Sequence, residues 1–283
     1  MNTLTFSLNE SATLSALLWE PSPALQDESR PRPGILICPG GGYNSHAHRE
    51  ADPIAVRFAA MGYHAFVLRY TLPQEAGECL YPKPLIDIGT AIQCIRDHAK
   101  AWCLDENRIA LCGFSAGGQL ALLYSVQCGR GMLAGYPKPA LCIAGYPVVD
   151  MLGWRNDQCR DPETLAVRDE CRRGLFGTIH PDESLLLKAD PTNDVPNDAP
   201  PMFLWATCED KKVPPCNTLK MAQALTQAGV PMECHLFESG PHGLALADQA
   251  SAGTWQKMNR EASRWSELCF AWLQKRFALT LMP

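Results

Sequence analysis

The chain has 283 residues, 46% hydrophobic and 19% charged, with a formal net charge of −5, which suffices for one large α/β domain with a sizeable core. An acidic balance without a Lys/Arg cluster excludes a phosphate-tracking nucleic-acid binder; the nearest basic pair, Arg172–Arg173, reads as a solvated helix face. No run approaches about 18 apolar residues, which excludes a membrane-spanning helix.

Met1 to Glu20 has no basic residue ahead of its apolar part, so it does not read as a secretory signal. The alternation of Leu4, Phe6 and Leu8 reads as a strand. Gly34 to Cys38 is an apolar strand ending in Pro39 and three glycines. A helix is expected from Asp52 as N-cap and Pro53 in the first turn to a stop at Gly62. Tyr63 to Tyr70 is the next strand. Leu85 to Ala101 reads as a helix with Ile88, Ile92 and Ile95 on one face. Arg108 to Cys112 is a strand entering a glycine-rich turn, and Ala116 to Val126 a helix leaving it. Strands follow at Ala140 to Val149, Met202 to Thr207 and Met232 to Phe237, the last two separated by a helix near Asn217 to Ala228. The final helix carries Trp265, Leu268, Cys269, Trp272, Leu273 and Phe277 in one stripe. Alternation of this kind implies a mostly parallel sheet with helices on both faces, within a single domain over residues 1–283. Met151 to Asp198 interrupts the rhythm. It is polar, with helix-like pieces near Pro162 to Arg173 and Asp182 to Ala189, and is expected to be a cap insertion over the site, since long insertions in compact domains are usually functional.

Thirteen cysteines, an odd number without a Cys-x-x-Cys, read as reduced thiols rather than a disulfide framework or metal site. With no signal segment, a cytoplasmic location is expected. No ligand cluster has zinc spacing, so neither metal nor organic cofactor is expected. His46-x-His48 is the one pair that comes near.

Gly113-Phe114-Ser115-Ala116-Gly117 fits Gly-x-Ser-x-Gly. A strand before it and an Ala/Leu-rich helix after it are the context in which a sharp turn lifts a serine nucleophile above a sheet. Cys38-Pro39-Gly40-Gly41-Gly42-Tyr43 lets a backbone approach a carbonyl closely, and the amides of Gly41, Gly42 and Ala116 are candidate oxyanion donors. A phosphate-binding loop fails for lack of the downstream Gly-Lys-Ser/Thr. His242 lies in Gly240-Pro241-His242-Gly243, just after a strand, and is the candidate base. His235 lies within the strand, and His64, His98 and His180 have no catalytic context. Asp210, after the Met202 to Thr207 strand, is the candidate acid, giving the order Ser…Asp…His; Glu209 and Asp150 are its rivals. Tyr43 and Trp154 are candidate substrate contacts, Trp154 reaching in from the cap to stack on a sugar.

Five segments together resemble the acetyl-xylan-esterase-like branch of the α/β-hydrolases. They are Pro39-Gly40-Gly41-Gly42-Tyr43, Arg49-Glu50, Gly113-Phe114-Ser115-Ala116-Gly117-Gly118, Glu209-Asp210-x-x-Val213-Pro214 and Gly240-Pro241-His242-Gly243-Leu244. The resemblance runs from about Gly34 onward and is weakest over Met151 to Asp198. It implies an α/β-hydrolase fold and hydrolysis of small acyl esters, acetyl groups on sugars among them, with a small-molecule ester as partner. A peptidase or lactone hydrolase with the same triad, and a catalytically silent binding protein of the same fold, stay open as alternatives.

Overall fold

The computed structural model describes residues 1–25, 30–151 and 161–277. Strands occupy Asn2–Ser7 (β1), Thr13–Leu18 (β2), Arg32–Cys38 (β3), His64–Arg69 (β4), Leu104–Phe114 (β5), Leu141–Gly145 (β6), Met202–Thr207 (β7) and Met232–Phe237 (β8). They form one eight-stranded sheet in the order β1-β2-β4-β3-β5-β6-β7-β8. The β1–β2 and β2–β4 pairs are antiparallel and every other pair is parallel.

The central strands are apolar at nearly every position because both faces are covered. Leu36, Phe66, Leu68 and Leu111 belong to one core cluster; their neighbours Ile35, Ile37, Val67, Ala110 and Cys112 belong to the other. Period-2 alternation therefore distributes one hydrophobic run over two cores. The first core takes Ile88, Ile92 and Ile95 from Lys83–Asp97 (α2) and Leu120 and Leu123 from Ala116–Gln127 (α4). It also takes Met221 and Leu225 from Cys216–Ala228 (α7). The second takes Ile54 and Phe58 from Asp52–Ala60 (α1) and Trp265, Trp272 and Leu273 from Trp265–Phe277 (α8). Cys38, Cys112 and Cys142 are buried thiols in these strands, and burial pushes each thiol up. No described helix is long and apolar enough to cross a membrane.

Several boundaries differ from the sequence reading. The segment Thr13–Leu18 is a second N-terminal strand, joined to β1 by a turn in which Asn9 Oδ1 accepts the N–H groups of Ser11 and Ala12. The N-cap of α1 is Ala51, with Asp52 already helical and making no capping bond. The expected 85–101 helix is two: α2 stops at Asp97, and Ala99–Trp102 (α3) closes on a left-handed Cys103. The strand β6 ends at Gly145 rather than continuing to Val149, because Tyr146 takes a φ of 37° and turns the chain out of the sheet. Within the insertion, Pro162–Phe176 (α5) and Glu183–Lys188 (α6) are helical. The N-terminus of α5 is capped by Asp161, whose side chain accepts from Glu163 N–H.

After β3 the chain runs outward to β4, and β5 returns on the other side of β3. That reversal makes a crevice at the carboxyl ends of β3 and β5, the usual ligand position in an open α/β sheet.

Candidate active site

Four strand ends carry the candidate residues. The glycine loop follows β3, Ser115 follows β5, Asp210 follows β7 and His242 follows β8. Ser115 sits on the turn between β5 and α4 with φ 53° and ψ −119°, a region that costs a non-glycine residue roughly 1–3 kcal/mol. Its N–H donates to Gly145 O at 3.0 Å, and its own carbonyl accepts from Val148 N–H at 3.2 Å. The turn is tight enough to require glycine beside it: a Cβ on Gly117 would lie 2.1 Å from Cys38 O. The serine is 7% exposed, so its hydroxyl is reachable but sheltered.

Ser115 Oγ lies 2.8 Å from His242 Nε2, and His242 Nδ1 lies 2.7 Å from Asp210 Oδ2. A carboxylate only accepts, so the Nδ1–H donates to Asp210 and Nε2 is left to accept the serine proton. The Asp210 side chain is fully buried. Its other oxygen, Oδ1, accepts the N–H groups of Lys212 at 3.0 Å and Val213 at 2.9 Å. The histidine loop is tied from below, with Thr207 Oγ1 donating to Gly240 O at 2.7 Å and Trp265 Nε1 to Ala245 O at 2.8 Å.

The rivals for the acid role are engaged elsewhere. Glu209 is exposed, and its Oε2 accepts from Gly240 N–H at 3.0 Å. Asp150 pairs with Lys220 at 2.7 Å, and the same ammonium also reaches Asp190 at 3.2 Å. Among the histidines, His46 Nε2 is bonded to Tyr70 O at 3.0 Å and His235 pairs with Glu233 at 2.8 Å. Among the described residues, no group of three or more His, Cys, Asp or Glu is arranged to hold a metal ion.

The glycine loop lies against Ser115: a Cβ on Gly40 would fall 2.9 Å from Ser115 Cβ. Gly41 and Gly42 have φ of 121° and 61°, and a side chain on Gly41 would strike Ser45 O at 2.2 Å. Ala116 opens α4, where backbone N–H groups have no intrahelical acceptor. Tyr43 departs from expectation. It is fully buried, with its hydroxyl 3.0 Å from Ala116 O and 2.9 Å from Gln119 Oε1, so it packs the glycine loop onto α4 instead of lining a pocket. Trp154 lies outside the described residues. Helix α5 meets the glycine loop, with Asn44 Nδ2 donating to Glu170 O at 3.1 Å.

A cleft of about 570 Å³ opens on the His242 and Asp210 side, walled also by Cys208, Glu163, Lys212 and Lys257. Sequence reasoning missed Lys257, whose ammonium donates to the His242 carbonyl across 15 residues of chain. Burial, then the positive charges of Arg49 and Lys212, pull this lysine down from 10.5 to about 8, against a smaller opposing pull from Asp210 and Glu50. Between those two values the unfolded chain keeps a proton that the folded state has shed, so this group's contribution to stability rises with pH. The stability of the wild type relative to Lys257→Met is therefore expected to climb between pH 8 and 10.5, measured by urea unfolding. A difference that stays flat across that window contradicts the lowered value.

Comparison with known proteins agrees with the resemblance carried by the motifs. The BD-FAE family model matches residues 24–225. The chain is 28% identical over 229 residues to the acetylxylan esterase of Xylanibacter ruminicola, covering 79% of this chain and 42% of that protein. The structure of the carboxylesterase Cest-2923 from Lactobacillus plantarum WCFS1 superposes with a TM-score of 0.83 at 32% identity, covering 100% of both chains. That of the acetyl ester-xyloside bifunctional hydrolase from Caldicellulosiruptor lactoaceticus gives 0.75 at 30% identity, over 93% of this chain and 88% of that one. The chain spans between 35% and 56% of the length of the curated relatives it matches.

Proposed function

The chain belongs to the BD-FAE family of α/β-hydrolases, and from that premise we propose that it is a serine carboxylesterase acting on short acyl esters, acetylated carbohydrates among them. The observation that carries the reading is the unbroken path from Ser115 Oγ through His242 to a buried Asp210, at 2.8 and 2.7 Å. In this reading His242 Nε2 takes the Ser115 proton as Oγ attacks the ester carbonyl. The amides of Gly41, Gly42 and Ala116 bind the oxyanion that forms. The alkoxide leaves with the proton from His242, giving an acyl-Ser115. Water then repeats the sequence, losing a proton to His242 and releasing the acid and free serine. Asp210 holds the ring in the tautomer that presents a basic Nε2. The contact of α5 with the glycine loop supports a role for the 151–198 insertion as a cap over the site.

The sugar-ester part of the proposal leans on what two relatives are: an acetylxylan esterase and an acetyl ester-xyloside hydrolase. The acyl part leans on the cleft. Beside His242 its walls carry Glu163, Glu209, Lys211, Lys212 and Lys257, with Pro241 and Cys208 between them, so a long alkyl chain would lie largely against charged side chains. A greasy channel would repay about 0.8 kcal/mol per buried methylene. The specificity constant is therefore expected to be highest for acetate and propionate and to fall roughly tenfold or more by octanoate. The test is a p-nitrophenyl ester series run beside acetylated xylo-oligosaccharides and aminoacyl arylamides. Constants that climb steadily to octanoate would mean a lipase-like pocket, faster turnover of the arylamides a peptidase, and no turnover of any substrate a binding protein.

A further inference from the structure

Glu50 is 2% exposed and is not part of the serine–histidine–aspartate path. Its two carboxylate oxygens have two different donors. Oε2 accepts from Gly40 N–H at 2.8 Å, and Oε1 accepts from the Tyr146 hydroxyl at 2.9 Å. The Tyr146 hydroxyl in turn accepts from Ala245 N–H at 2.9 Å. The Tyr146 ring stands edge-on to the His242 ring, with centroids 5.1 Å apart. Gly40 begins the loop that holds Gly41 and Gly42; Ala245 lies three residues after His242. One carboxylate thus connects the loop after β3 to the loop after β8, through the residue that ends β6.

We propose that Glu50 is a positioning residue that holds the glycine loop and the histidine loop in a fixed relation, so that the oxyanion donors and the base address the same carbonyl. The proposal rests on the serine-esterase reading of the site. Burial, then the negative charge of Glu50, raises the Tyr146 hydroxyl well above its ordinary value. Tyr146 therefore has a proton to donate, while its oxygen receives Ala245 N–H. Two inward donors, Gly40 N–H and Tyr146 O–H, call for two acceptor oxygens on one side chain, which a carboxylate has and a carboxamide lacks. Glutamine keeps only one of the two bonds as it stands: its NH₂ either faces Gly40 N–H and displaces the glycine loop, or donates to the Tyr146 oxygen and leaves the Tyr146 proton without this acceptor, loosening the tie to the histidine loop. A displaced glycine loop weakens binding of the tetrahedral oxyanion more than binding of the planar ester, so the loss falls on kcat rather than KM.

The test compares full-length Glu50→Gln, Glu50→Asp and Tyr146→Phe with the wild type. The measurements are kcat and KM for p-nitrophenyl acetate, Ki for phenylboronic acid as a tetrahedral mimic, and Tm. Glu50→Gln is expected to lose about 10²-fold in kcat, the size of a lost oxyanion donor, with KM within about threefold and boronate affinity falling in step with kcat. Glu50→Asp keeps both acceptors on a shorter arm and should recover part of the loss. Tyr146→Phe, which keeps the Gly40 bond, should lose about tenfold, and it decides the matter if Glu50→Gln does not fold. A kcat within about threefold of wild type in folded Glu50→Gln, or in Tyr146→Phe where Glu50→Gln does not fold, overturns the proposal, as does a kcat loss with unchanged boronate affinity. A wild type without Ser115-dependent turnover overturns the esterase reading and this proposal together; an active wild type with an unaffected Glu50→Gln overturns this proposal alone.

Discussion

Replacing Ser115 with alanine is expected to lower kcat/KM for p-nitrophenyl acetate by about 10⁴-fold or more while leaving the protein folded. The hydroxyl lies 2.8 Å from His242 Nε2, and removing it takes away the proton that the imidazole would accept in acyl transfer. The fold should tolerate the change. The hydrogen bonds that shape the turn, Ser115 N–H to Gly145 O and Val148 N–H to Ser115 O, are made by the backbone and survive in alanine. Removal of the hydroxyl does not relieve the φ of 53° at this position, so no large gain in stability is expected either. An alanine variant, free of contaminating esterase, that still turns over the ester within about tenfold of wild type would falsify the assignment of the nucleophile.

The second large effect is expected at Asp210. Asp210→Asn should reduce kcat by roughly 10³- to 10⁴-fold, and the local geometry says why. One oxygen, Oδ1, is claimed by the N–H groups of Lys212 and Val213. An asparagine carbonyl will keep that position, because an NH₂ there would face two donors. The amide NH₂ is then turned toward His242 Nδ1, where it donates. The ring responds by carrying its proton on Nε2, and no basic nitrogen faces Ser115. Stability should change little, since the two backbone bonds are retained. Glu209→Gln makes the contrast, because its amide oxygen still accepts from Gly240 N–H and the side chain is exposed; its kcat should stay within roughly fivefold of wild type. Kinetics of the two variants under one set of conditions decide the matter. Equal and severe losses, or a near-normal Asp210→Asn enzyme, move the acid away from Asp210.

Much of this site is local in sequence, which is why the sequence makes it legible. A strand, a Gly-x-Ser-x-Gly turn and a helix are consecutive; Asp210 comes three residues after the apolar run of β7, and His242 five residues after the more mixed β8. The parallel core was legible for the same reason: strands covered on both faces are unbroken hydrophobic runs. What was hidden depends on contacts across the fold. The second N-terminal strand was missed because its turn is made by Asn9 without a glycine to announce it. The early end of β6 goes with the φ of 37° at Tyr146, whose hydroxyl meets Glu50 and Ala245 far away in the chain. Tyr43, adjacent to the glycines, was expected at a pocket wall, yet its hydroxyl finds Gln119 below the loop. Lys257 has no motif around it and becomes part of the site only because it reaches the carbonyl of His242. Glu50 was visible in the Arg49-Glu50 pair, but a pair of adjacent charges says nothing about which loops they connect.

An ester's acyl group is expected to pass through Ser115. This is tested most directly by quenching the wild type during turnover of a slowly deacylating p-nitrophenyl ester and mapping the adduct by peptide mass spectrometry. One acyl group is expected, on the peptide containing Ser115, and none in Ser115→Ala or His242→Ala. Turnover with no acyl-peptide, or an acyl group carried by a different residue in a protein that still turns over, would contradict that expectation.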